Sequence, residues 1–300
     1  MKPSAAIKAF LAITFWGASF VATKVALREA SPLTVIVLRF AIGLGVLALV
    51  VAARREFTLP QRGDLGWLAL LGLSGITVHQ LLQANGLVTT SATNSGWIVA
   101  LIPVFSALLA WLILGEPFGR LKVLGLALAT VGAFLVISRG QLSGGLLNIP
   151  ATPGDFLMLL SSPNWALFTV LSKRMMGKVT PTLMVTYVMA FGWLAILPLW
   201  AGAGGWLDLP RLTAAGWGSL LFLGLLCSGV AYIFWYDALA VAGASQVAAF
   251  LYLEPIVTVI VAASLIGEAV TWATLAGGAT ILIGVWLVNQ REAKSKEHGA

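Results

Sequence analysis

Charge is what this sequence has least of. Only 10% of its 300 residues are Asp, Glu, Lys or Arg and 59% are hydrophobic, with a mean hydropathy of +0.96; soluble globular chains carry about 25% charged residues. That scarcity excludes a soluble protein and describes an integral membrane one. Cysteine is nearly absent as well: Cys227 stands alone inside an apolar run, so neither a disulfide framework nor a CxxC metal site can form within one chain. Missing, too, are an HExxH sequence, paired aspartates at metal spacing and a Ser/His arrangement inside the apolar runs, which argues against an intramembrane enzyme. No ring-forming charged filter is apparent, which disfavours a channel. No polar stretch leaves room for a separate soluble domain. The net charge of +7 would invite nucleic acid in a soluble chain, but the basic residues sit in breaks between apolar runs, where they set orientation.

What is present is apolar runs of about 20 residues, the length that crosses a bilayer as a helix. Ten spans are expected, with cores near 7–26, 33–53, 66–87, 94–114, 120–138, 155–172, 182–201, 214–235, 244–266 and 271–289. The breaks carry Pro and Gly, as at Ser31-Pro32, Gly115-Glu116-Pro117, Gly144-Gly145 with Pro150, and Thr180-Pro181. Lys2 and Lys8 precede the first run without a small-residue cleavage site leading to a soluble domain, so that run is expected to be a permanent span.

The chain repeats itself. Pro103, Gly115, Glu116, Gly125 and Gly132 recur at an offset of 152 as Pro255, Gly267, Glu268, Gly277 and Gly284. Trp16, Lys24 and Pro32 recur at an offset of 149 as Trp165, Lys173 and Pro181. Two halves are therefore expected, 1–145 and 146–300, each with five spans. Since five is odd, the second half starts on the opposite side of the membrane and the repeats must be inverted. With the N-terminus inside, 13 basic residues fall in inner segments and four in outer ones, with Arg39 inside a span. Both termini are accordingly expected in the cytoplasm.

Together these residues resemble the EamA family of the drug/metabolite transporter superfamily. The resemblance is carried by Phe15-Trp16-Gly17-Ala18-Ser19-Phe20, by Leu38-Arg39-Phe40, by the duplicated Pro, Gly-Glu, Gly, Gly pattern, and by Tyr236-Asp237-Ala238-Leu239, Gly243-Ala244-Ser245 and Leu253-Glu254-Pro255. It spans essentially the whole chain. It implies an all-α bundle of ten transmembrane helices in two inverted five-helix repeats, moving small metabolites, often amino acids and usually outward, by alternating access. Within the family, the aromatic amino acid exporters of the YddG type are the group it is most similar to. His79, Gln80, Gln83 and Asn85-Gly86-Leu87 depart from the usual aromatic and Ala-Leu residues of the third span.

Polar residues inside spans are costly and point to function. His79 and Gln83 share one helix face with Gly75 and suit a cavity wall; interhelical hydrogen bonding is the structural alternative. Tyr232, Trp235 and Tyr236 share a face with Ser228 and could stack on a ligand or form an interfacial aromatic belt. Ser161-Ser162-Pro163-Asn164-Trp165 interrupts a span as a substrate contact, hinge or packing kink. Trp97 and Tyr187 are further candidates for the same wall. Glu254, placed near the middle of the ninth span, could bind an ammonium group, couple protons or cap backbone near Pro255. Arg39 could snorkel, form a structural ion pair, gate, or attract a carboxylate.

These observations predict a carrier in a bacterial cytoplasmic (inner) membrane that exports amino acids, aromatic or other apolar ones, and related small metabolites. Its partners would be a small-molecule substrate and membrane lipid, with no nucleic acid, metal or cofactor. The competing readings are an intramembrane enzyme acting on a lipid-linked substrate and a broad drug/metabolite efflux carrier.

Overall fold

The computed structural model describes residues 2–115, 118–141, 151–175, 178–241, 247 and 249–289. Glu116-Pro117, Gly144-Gly145, Pro150, the boundary between 145 and 146, Gly243-Ala244-Ser245 and the basic residues beyond Asn289 lie outside them. No β-strand occurs among the described residues. The helices are α1 (Pro3–Ala26), α2 (Pro32–Ala53), α3 (Arg62–Thr89), α4 (Ala92–Val99), α5 (Ile102–Leu114), α6 (Arg120–Ser138), α7 (Pro153–Ser172), α8 (Pro181–Gly202), α9 (Ala214–Val241), α10 (Glu254–Ile266) and α11 (Trp272–Asn289).

Their starts follow from local chemistry. Proline, with its fixed φ and missing N–H, opens α1, α2, α7 and α8, where the first amides have no helical partner. Ser31 Oγ and Thr180 Oγ1 each accept a hydrogen bond from an amide of the following turn, at 3.3 Å. Both caps precede a proline, and they occupy corresponding places in the two halves, in register with the Pro32 and Pro181 pair.

Eight helical stretches are long and apolar enough to cross a membrane: α1, α2, α3, Ala92–Ile113, α6, α8, α9 and α11. Helix α7 has the length, with 20 residues, but carries Asp155, Ser161, Ser162 and Asn164. The described part of the ninth expected span is an apolar stretch over Phe250–Ile266; of residues 244–248 only Val247 is described. Its helix is not uniform: a 3-10 segment (Ala249–Leu253) leads into α10, which starts at Glu254. The expected span 94–114 likewise divides, α4 ending at Val99 and α5 beginning at Ile102. Pro103 and Pro255 account for both changes. A proline disrupts a helix interior but fits a first turn, so each span restarts one residue before its proline. Glu254 is therefore a first-turn residue of α10, directly before its proline.

The boundaries repeat as the residues do. Helix α9 (Ala214–Val241) matches α3 (Arg62–Thr89) at both ends in the register that pairs Pro103 with Pro255, and α10 matches α5 in that same register. Helix α8 matches α2 in the register that pairs Trp16 with Trp165. Wider π-helical turns interrupt α3 at Leu73–Val78 and α9 at Phe222–Val230, and their last residues again correspond.

Glycines decide how these helices meet. A Cβ on Gly132 would lie 2.6 Å from the Gly277 carbonyl oxygen, and one on Gly284 would lie 2.6 Å from that of Gly125. Thus α6 and α11 cross antiparallel with their backbones nearly touching. Gly72 of α3 meets α8 at Val188 and Gly192, while Gly224 of α9 meets α2 at Ile42 and Arg39. The second helix of each half thus packs on the third helix of the other.

Two carboxylates tie the loops at the end of the bundle where α1 finishes. Asp208 accepts hydrogen bonds from Ser31 N (2.9 Å) and Thr34 Oγ1 (2.6 Å), and Glu29 from Thr213 N and Oγ1 (both 2.7 Å). Partial burial pushes Asp208 up, but the Thr34 and Ser31 donors outweigh it and hold it below the usual carboxylate range. The Thr213 amide and hydroxyl lower Glu29.

Two outcomes are expected. Gly132→Leu should lower the thermal midpoint in detergent by several degrees, since overpacking costs on the order of 1–3 kcal/mol. Gly45→Ala, where nothing lies within 4 Å, should not lower it; equal midpoints for the two variants would contradict the close crossing. Because both carboxyls titrate lower when folded, their stabilisation is complete above the unfolded range near pH 4. It is lost as pH falls through the lower folded values, so Asp208→Asn should make the acid-side decline in thermal midpoint shallower than in the parent.

Candidate functional site

A cavity lies where the halves face each other, with about 120 Å³ of room for water centres. One such centre occupies about 10–15 Å³, so the space holds several waters or part of a small ligand. Its wall takes Trp16, Ser19 and Phe20 from α1, Arg39 from α2, and His79, Gln80 and Gln83 from α3. The break between α4 and α5 adds Val99, Ala100, Ile102 and Pro103. The second half supplies Trp165, Tyr232, Leu251, Tyr252 and Glu254, with Leu282 and Val285 from α11.

Irregular backbone builds the polar part of this wall. In α3 the π-turn immediately precedes His79, and Asn164 holds it in place: its Nδ2 donates to the Ser74 carbonyl at 2.9 Å, and Ser74 Oγ donates to its Oδ1 at 3.3 Å. Asn164 follows Pro163, the proline inside α7, so one side chain ties the proline-bearing stretch of α7 to the π-turn of α3. His79 Nδ1 lies 3.2 Å from the Ser161 carbonyl oxygen. A carbonyl can only accept, so Nδ1 carries the proton there and Nε2 is the nitrogen left for another partner. The imidazole also packs on the Trp165 ring, with centroids 4.6 Å apart.

The π-turn of α9 does comparable work opposite. It presents the Cys227 carbonyl to Trp16 Nε1 at 3.0 Å and Ser228 Oγ to Arg39 Nε at 3.2 Å. Trp16 then meets Tyr232 edge-on, centroids 5.3 Å apart. Arg39 Nη1 reaches Gln80 Oε1 at 3.5 Å, and Arg39 lies in no ion pair among the described residues. Glu254 is positioned through its backbone: Thr258 Oγ1 lies 2.9 Å from the carbonyl oxygens of both Glu254 and Gly17.

Of the residues singled out in the sequence, His79, Gln83, Trp165, Tyr232, Glu254 and Arg39 meet at this cavity. The others lie behind or away from it. Trp97 is buried against Gly278 of α11 and its Nε1 has no partner among the described residues. Tyr187 donates to the Thr58 carbonyl at 3.2 Å and stacks on Phe191. Trp235 packs behind Trp16, centroids 5.4 Å apart, and Tyr236 against the apolar core of the α2, α3 and α8 region. Pro163 and Asn164 shape the wall without lining it. Trp16, Ser19, Gln80 and Tyr252 also line the cavity, though none was a candidate contact in the sequence. Trp16 had a signal, its match to Trp165 across the halves; Tyr252 had none.

The ends of the bundle beyond the cavity are crossed by ion pairs and hydrogen bonds. At one end Asp237 of α9 binds Lys8 (2.7 Å) and, bidentately, Arg54 (2.9 and 3.0 Å). Arg54 lies just past α2, and its hydrogen bonds to Asp237 raise its pKa. At the other end Glu268 accepts from the amides of Ala92 (2.9 Å) and Thr93 (3.0 Å), with Lys24 at 4.0 Å. Asp155 there receives Thr90, Asn94 and Thr152.

The EamA-like transporter family matches residues 3–138 and again 152–290. An "Uncharacterized transporter" of Archaeoglobus fulgidus is 31% identical over 283 residues, 94% of this chain and 96% of that protein. A "Probable terminal-alkyne amino-acid exporter" of Streptantibioticus cattleyicolor is also 31% identical, over 97% of this chain and 95% of that one. A crystal structure with 19% sequence identity superposes with a TM-score of 0.65, covering 96% of this chain and 99% of that one, so the two share a fold.

Aqueous access to the cavity can be read with thiol chemistry, because the only native cysteine is buried. Gln83→Cys should react with 2-aminoethyl methanethiosulfonate in membranes. Ser138→Cys, at a fully buried site, should not. Equal inertness of the two would mean that water does not reach this wall.

Proposed function

This chain belongs to the EamA-like transporter family and is a multi-pass membrane transporter, and on that premise we propose that it exports amino acids, aromatic or other apolar ones, and related small metabolites by alternating access. One observation carries the reading. The cavity at the meeting of the halves combines indole and phenol rings (Trp16, Trp165, Tyr232) with polar groups not used up in contacts with one another (Gln83, Arg39, Glu254). Rings offer apolar area to a substrate side chain, and a few placed polar groups orient its head. The name of the exporter from Streptantibioticus cattleyicolor, similar over nearly its whole length, supports an amino acid as cargo.

The architecture proposed with it is ten membrane crossings in two inverted repeats, residues 1–145 and 146–300, with both termini in the cytoplasm of a bacterial inner-membrane protein. The recurring helix bounds, the paired π-turns and the antiparallel glycine crossing of α6 and α11 support the repeats. The distribution of Lys and Arg supports the orientation. Rocking of the halves would break the contacts of Asp237 at one end of the cavity and of Glu268 at the other in alternation. The names of the relatives favour a carrier over an enzyme.

Protein reconstituted alone into liposomes should move labelled aromatic or branched-chain amino acids down their gradient. Trp165→Ala should slow that flux at least tenfold while inserting normally. A parent protein that moves no amino acid, or that converts a substrate into product, would overturn the proposal. Repeating the assay with an imposed pH gradient separates proton-coupled from facilitated transport.

A further inference from the structure

Two charged side chains face the cavity, and neither meets an opposite charge among the described residues. Arg39 is only 8% exposed. Its guanidinium has five N–H donors, of which one binds Ser228 Oγ and one reaches Gln80 Oε1 at the limit of hydrogen-bond distance. The rest have no acceptor among the described residues. Glu254 lines the same cavity, and its carboxylate accepts no hydrogen bond and joins no ion pair among the described residues.

That isolation sets Glu254 apart from every other described acid. Asp237 and Asp64 hold lysine or arginine, Glu268 and Asp155 hold the polar cluster at the far end, Asp208 and Glu29 hold loop amides, and Glu56 receives the Thr180 hydroxyl. Every other described carboxylate has a partner among the described residues, and this one has none. Neither charge belongs to the duplicated scaffold: the position matching Arg39 in the second half holds Val188, and the position matching Glu254 in the first holds Ile102. Yet both backbones are fixed by close packing, Arg39 against Gly224 and Glu254 against Gly17, where an added Cβ would lie 3.1 and 2.7 Å from the respective carbonyl oxygens.

Unpaired charges held inside a membrane protein mark a ligand that completes them. We propose that Arg39 and Glu254 are the two poles of a zwitterion site, Arg39 receiving a carboxylate and Glu254 an ammonium group of the same small molecule. Both side chains line the same cavity and no ion pair joins them. Charge-assisted hydrogen bonds form at both poles on binding. The bound complex is neutral at the site, whereas an amine alone or an acid alone leaves one buried charge unmatched. The inference rests on the amino-acid transport reading and adds to it a rule of selection, that both head groups must be free.

The test uses counterflow of labelled L-phenylalanine, 2-phenylethylamine and 3-phenylpropionate in liposomes holding the full-length protein, with the parent, Arg39→Gln and Glu254→Gln. The parent should favour phenylalanine at least tenfold over both analogues. Glu254→Gln should lose discrimination against phenylpropionate and keep it against phenylethylamine, and Arg39→Gln should do the reverse. These are ratios within one variant, so a smaller folded fraction does not change them. A parent that moves phenylalanine and both analogues equally would overturn the zwitterion site while leaving amino-acid transport standing. So would variants that keep the parent's selectivity. If the parent moves none of a panel of amino acids, both readings fall together.

Discussion

Hydrocarbon offers no hydrogen bonds, so backbone polar groups within the membrane must be satisfied inside the protein or beside a cavity, and the rest of this structure depends on that constraint. Regular helix satisfies it along most of the chain. Where the helix is interrupted beside the cavity, a side chain is found repairing it: Asn164 at the π-turn of α3, Trp16 at the Cys227 carbonyl in α9, Thr258 at the Glu254 and Gly17 carbonyls. The interruptions are thus what allow polar atoms to be aimed inward, and the repairs are what hold them there.

Glycine supplies the complementary condition. At the α6–α11 crossing and at the two contacts of α2 with α9 and α3 with α8, backbones approach until a methyl group would not fit. Such contacts resist sliding, because small displacements convert close packing into overlap. The family's two matched segments, 3–138 and 152–290, each contribute a helix to each of these seams, so the halves are held together by exchanged contacts rather than by a simple face.

Much of this was legible in the sequence, and the illegible parts have physical causes. The expected spans 182–201 and 214–235 placed the starts of α8 and α9 to within a residue because prolines, caps and glycines punctuate a helix locally. The restart of α5 and α10 beside Pro103 and Pro255 was visible as two prolines but not as a break, since each span reads as one apolar run. Regular helical spacing put Ser228, Tyr232, Trp235 and Tyr236 on one face. The π-turn through Val230 changes that rotation between Ser228 and the aromatic residues, and composition carries no mark of it. Trp97 and Tyr187 illustrate a different limit: a ring in an apolar helix serves core packing as readily as a cavity, and only the neighbours decide.

The duplicated glycines serve packing and the duplicated Trp16 and Trp165 both line the cavity, while Arg39 and Glu254, whose counterparts are Val188 and Ile102, make its two sides differ; this fits a carrier whose scaffold was copied and whose selectivity arose from later differences. Its central claim is that one cavity between two halves opens to alternate sides. The most direct measurement is a pair of spin-label distances at the two ends of the bundle, in protein whose single cysteine has been replaced. Labels at the exposed positions Arg28 and Thr271 report one end and those at Arg55 and Val241 the other. On adding a transported amino acid, the account predicts that one distance distribution shifts to longer values as the other shifts to shorter ones. Two distributions that stay fixed, or lengthen together, would contradict it.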